Sequence, residues 1–125
     1  MRFQFMKKTV RHLIADLKEY GERITDITNE LTEEEFSQNN LAQDALLRRI
    51  SVIGIIVKRL PKKFTERYPD IPWSAAAKTR DRLAHHYEGT DMSLVWEIAT
   101  VDIPNFVKKI DQLDLADQKA LEYED

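Results

Sequence analysis

The 125-residue chain is 42% hydrophobic and 33% charged, carries a formal net charge of −3 and has no cysteine. The missing thiol excludes disulfides, thiolate nucleophiles and Cys-ligated zinc, and no apolar run approaches the ~20 residues of a membrane span. Only three glycines and four prolines punctuate the sequence, and charges on both sides of Phe3 to Met6 leave no signal-peptide core, so the expectation is a single cytoplasmic domain, residues 1–125, made of a few long helices.

Val10, Leu13, Ile14, Leu17, Ile24, Ile27 and Leu31 recur at three- and four-residue steps and predict a long helix from Lys7 to Asn29. Gly21 lies inside it and weakens it by about 1 kcal/mol relative to Ala. His12 and Asp16 are one turn apart, which is two potential metal ligands without a third; an exposed i,i+4 pair is the commoner meaning of that spacing. Thr32-Glu33-Glu34-Glu35 has the form of a capping box opening a short helix that ends near Ser37. Asn39 or Asn40 then caps the next helix, Leu41 to about Leu60. Its face is Leu41, Ala45, Leu46, Ile50, Ile53, Val57 and Leu60. Leu47, Ile55 and Ile56 spread the apolar surface further, as in a helix at the centre of a bundle or under a second subunit. Gly54 would let another helix approach closely.

Leu60-Pro61 ends that helix, because the residue before proline resists α geometry. Lys62 to Arg67 form one more turn. Pro69 to Trp73 make a rigid connector anchored by Ile71 and Trp73, and a helix follows from Trp73 to Tyr87. Gly89 reads as the C′ residue just past that helix and Asp91 as the N-cap of the next. The last helix carries Leu94, Val95, Ile98, Val101, Phe106, Val107 and Ile110, with a kink at Pro104. From Asp111 the chain is an acidic tail whose last ten or so residues are expected to fray. The fold class is all-α: an up-down bundle of four main helices plus short ones.

Charge is unevenly spread. Residues 48–87 hold ten Lys/Arg against three Asp/Glu, a balance of +7, while residues 88–125 hold three against ten, −7. A polyanion could bind the basic third, since local field outweighs the net sum; a solvated helix surface with a compensating tail explains the same pattern. Within the basic third, Lys78-Thr79-Arg80-Asp81-Arg82-Leu83-Ala84-His85-His86-Tyr87 gathers cations, imidazoles and a phenol. A neutral-pH proton carrier beside guanidinium forks suits cleavage of an RNA phosphodiester without metal. Five residues of an ideal helix turn Arg80 and His85 about 140° apart, so either the helix distorts or a second copy completes the site. The alternative is structural, with Arg80 paired to an acidic neighbour and His85 capping the helix C-terminus.

Arg80 to Tyr87 resembles the R-x-x-x-x-H-x-Y motif of HepT-like HEPN proteins. Pro69-Asp70-Ile71-Pro72-Trp73 before it, Gly89-Thr90-Asp91 and Leu94 to Ile98 after it, Asp102-Ile103-Pro104, and upstream Gln43-Asp44-Ala45 and Ile53-Gly54 extend the resemblance over nearly the whole chain. Asp81 stands where the family often has Asn. The resemblance implies a helical homodimer that acts as a metal-independent endoribonuclease toxin, with no cofactor. Its partner would be a minimal nucleotidyltransferase antitoxin of the MntA type. Arg80 and His85 would be catalytic and Asp81 and Tyr87 supporting. Tyr87 would also be the acceptor of an antitoxin-delivered AMP, and Lys78 and Arg82 would contact RNA phosphates. A non-catalytic subunit that docks on the nucleotidyltransferase, presenting substrate or Tyr87, is the other reading.

Overall fold

The computed structural model describes residues 9–85 and 91–113, apart from the side chains of residues 84 and 85. It is an all-α bundle. Its elements are α1 (Val10–Asn29), α2 (Glu33–Ser37), α3 (Asn40–Arg59), α4 (Lys62–Glu66), α5 (Trp73–His85), α6 (Met92–Glu97) and α7 (Ile103–Asp111). A π-helical segment, Ile98–Asp102, joins α6 to α7, so that α1, α3, α5 and this composite are the four main rods. None of the described helices is long and apolar enough to cross a membrane.

Helix starts follow local chemistry. Thr9 caps α1 by accepting from the His12 amide. Thr32 and Glu35 form the reciprocal capping box: the Thr32 amide donates to Glu35 Oε1 at 2.9 Å, and the Glu35 amide to Thr32 Oγ1 at 3.1 Å. Asn39, rather than Asn40, caps α3 through the Ala42 amide. Asp91 caps α6 through the Ser93 amide. Leu60 turns to extended geometry ahead of Pro61 and ends α3.

α3 is the central rod. It packs against α1 on one side and α5 on the other, with α2 and α6 at its flank. Its buried residues are Ala42, Leu46, Ile50, Ile53, Gly54, Ile56 and Val57. The predicted face is therefore one residue out at its start: Leu41 is 81% exposed, and Ala42 takes the inward position. Gly21 is buried in α1, where an added Cβ would run into Val107 of α7. The glycine is a site of close helix approach as well as a weak helix former.

The kink expected at Pro104 takes the form of the π-helical segment. Proline has no amide hydrogen, and its ring crowds the carbonyl four residues back. The backbone relaxes to the wider spacing, with the Ile103 amide donating to the Ile98 carbonyl. Thr100 Oγ1 also donates to the Trp96 carbonyl at 2.7 Å. Across this segment the buried positions become Val95, Ile98, Ala99, Ile103, Phe106 and Ile110, and Val101, predicted to face inward, is 48% exposed.

Candidate active site

The motif helix α5 is fixed at its N-terminal end by aromatic packing. Trp73 meets Phe106 edge-on at 5.8 Å and Phe64 at 6.0 Å, and Phe64 continues to Tyr68 at 5.2 Å. The Trp73 indole Nε1 donates to the Tyr68 carbonyl, so this buried ring is an anchor rather than a free stacking platform. One turn on, α5 lies tightly against α3. A Cβ built on Gly54 would sit 3.1 Å from Arg80 Cβ and 3.3 Å from the Ala77 carbonyl oxygen. Gly54 therefore lets the two helices close up where Arg80 leaves the backbone.

From there the motif side chains diverge. Arg80 is exposed, and among the described residues no carboxylate pairs with it. Asp81 turns to α3, where its Oδ2 lies 3.6 Å from Lys58 Nζ, with both side chains about half exposed. Lys78 and Arg82 are exposed one turn apart, and position 85 continues their i, i+4, i+7 stripe in the regular α5 backbone. Position 85 is therefore about 140° around and ~7.5 Å along the helix from Arg80. His85 is the last described residue of α5. Its side chain, His86 and Tyr87 lie outside the described residues, as do the Gly89 helix end and the tail from 114.

His12 Nδ1 hydrogen-bonds Thr9 Oγ1 at 3.0 Å. Among the described residues no group of three or more metal-ligating side chains forms. Two features escaped the sequence. Lys58 is the partner of Asp81, and a groove between α5 and α7 is lined by Thr79, Arg82, Asp102, Asn105, Phe106 and Lys109 among others. Neither has a signal in spacing, because the partners are distant in the chain and meet only through packing.

Comparison with known proteins agrees with the family resemblance. The family model described as "Ribonuclease HepT-like" matches residues 17–113. A candidate RNase of Methanocaldococcus jannaschii is 39% identical over 107 residues, covering 86% of this chain and 88% of that protein. The "Probable ribonuclease HepT" of Thermococcus cleftensis is 33% identical over 108 residues, covering 86% and 98%. A second M. jannaschii protein, named as a gamma-glutamylcyclotransferase and candidate RNase, is 39% identical over 105 residues, or 84% of this chain and 47% of that protein. No solved structure matches. With the model spanning most of the chain and relatives of this identity covered nearly end to end, the chain belongs to the HepT-like ribonuclease family.

Proposed function

We propose that the chain is a metal-independent endoribonuclease whose active cleft forms between two copies, and that it serves as the toxin of a pair with a minimal nucleotidyltransferase antitoxin. The observation that carries this reading is Arg80: exposed, without a carboxylate partner among the described residues, and five residues before His85 in a HepT-like chain. A structural arginine in this position would be expected to hold an acidic neighbour; the adjacent Asp81 is instead drawn to Lys58.

In the proposed reaction His85 takes the proton of a ribose 2′-OH or gives one to the departing 5′-oxygen, a role suited to a side chain that titrates near neutral pH. The 2′-oxygen bonds to phosphorus as the bond to the 5′-oxygen breaks, leaving a 2′,3′-cyclic phosphate. Arg80 holds the phosphate oxygens and stabilises the charge that develops on them. Lys78 and Arg82 contact neighbouring phosphates. Tyr87 supports the site and is the residue on which the antitoxin places AMP, adding charge and bulk where RNA must enter.

The test is incubation of total RNA in EDTA with wild type, Arg80→Ala and His85→Ala, helicity being checked by circular dichroism. Cleavage by wild type alone is the expected result. Equal cleavage by both variants would remove the assigned roles, and an inert wild type that still binds the nucleotidyltransferase would make the chain an adaptor. Mass spectrometry after incubation with that partner and ATP should show one added AMP, absent in Tyr87→Phe.

A further inference from the structure

The α5–α7 groove adjoins the motif and shares only Arg82 with the chemistry above. We infer that it is a nucleotide subsite, which holds one base of the single-stranded RNA beside the scissile bond while its rim holds the flanking phosphate. The inference rests on the ribonuclease reading and adds to it where the strand runs and what selects the cut.

Size is the first argument. The groove holds about 310 Å³, the lower end of the range for small-molecule sites, which suits one nucleotide and not a helix or a folded partner. Its floor is the second. Phe106 is buried and held edge-on by Trp73, and the Thr79 hydroxyl is turned back to the Ala75 carbonyl at 3.0 Å. The surface is therefore apolar and fixed, as a planar base requires. Above it stand exposed Asn105, with amide donors and an acceptor, and exposed Asp102, an acceptor. That mixture can read a base edge, whereas a site for phosphate alone would gain nothing from the carboxylate.

Charge and continuity name the occupant. Arg82 and Lys109 line the groove. Arg82 has no carboxylate partner among the described residues, and Lys109 Nζ donates to the Asp70 carbonyl at 3.3 Å, leaving two of its three donors. Arg82 lies about 200° around α5 from Arg80 but one turn before position 85, on the same stripe of the helix. A strand whose reacting ribose is at position 85 therefore meets Arg82 next on that face. An acidic peptide could use the two cations but not the flat floor and amide edge together.

The experiment has a binding arm and a cleavage arm. The chain has two tryptophans, and Trp96 lies against Phe36, away from the groove. In a Trp96→Phe background Trp73 reports through Phe106. Titration with the four 5′-mononucleotides and a single-stranded RNA trimer should give a saturable change for at least one mononucleotide and for the trimer. Ala75→Phe, which fills the groove mouth from an exposed position, should weaken it at least tenfold, as should Arg82→Ala. Ser74→Phe, exposed but outside the groove, serves as the steric control. Silence towards every nucleotide and the trimer, or binding indifferent to Ala75→Phe, overturns the inference. In the cleavage arm, Asp102→Asn and Asn105→Ala should alter base frequencies beside mapped cut sites; cut maps identical to wild type overturn it. An inert wild type would sink the ribonuclease reading alone, since the titration still decides the groove.

Discussion

Arg80 and Asp81 are neighbours in the chain, yet they belong to different surfaces. One is exposed at the crossing of α3 and α5, with no carboxylate partner among the described residues, and the other faces Lys58 at 3.6 Å. Between two half-exposed side chains such a pair contributes little to stability. Its larger effect is electrostatic, because Asp81 keeps a carboxylate one residue from the proposed phosphate site. Asp81→Asn should leave the melting temperature nearly unchanged and lower KM for RNA severalfold, read from initial rates at fixed ionic strength. Gly21 makes an opposite case. An alanine there gains about 1 kcal/mol of helix propensity but drives a methyl group into Val107, whose branched side chain turns poorly out of the way. Overpacking typically costs about 1–3 kcal/mol. Gly21→Ala should therefore lower stability in denaturant melts by about 1 kcal/mol, and raise it when made in a Val107→Ala chain. Spacing alone could display only the propensity term at this residue, because its neighbour on α7 is contributed by the far end of the sequence.

At the scale of elements, what the sequence made legible is what is local. The capping box at Thr32, the Pro61 stop, the Asp91 cap and the apolar stripes of α1 and α3 each depend on residues within two turns of one another. Replacing Thr32 with Ala should cost about 1 kcal/mol and loosen α2, which packs against α3 and α6; hydrogen exchange at the Glu35 amide would follow it. The misread positions share a cause. Leu41 belongs to the apolar stripe by spacing, but it stands in the first turn of α3 and projects beyond the bundle. The period of a continuous helix puts Val101 on the apolar stripe, and the π-helical widening before Pro104 rotates it outward. A periodic pattern locates a face only while the period holds. The motif spacing is local too: Arg80 and position 85 stand five residues apart on one regular helix. The groove is not, because Asp102, Asn105 and Lys109 face Arg82 only after α5 and α7 have docked through Trp73 and Phe106.

At the scale of the whole molecule, the proposed pairing of Arg80 with His85 is a geometric problem for a single copy. α5 remains a regular α-helix as far as His85, so no distortion within those residues brings position 85 round to Arg80. The basic third of the chain would place several cations around a cleft shared by two copies, and RNA affinity should accordingly fall steeply with salt. If the arginine of one copy works with the histidine of the other, the two inactive variants complement each other. A mixed dimer of Arg80→Ala and His85→Ala keeps one complete trans pair and loses the other. Random re-pairing makes half of the dimers mixed, so an equimolar mixture, unfolded and refolded together, should recover about a quarter of wild-type cleavage. Each variant refolded alone should stay inactive. A mixture as dead as its components would put the arginine and histidine of each working pair in the same copy, and the second subunit would then have to act by shaping the helix end rather than by supplying a catalytic group.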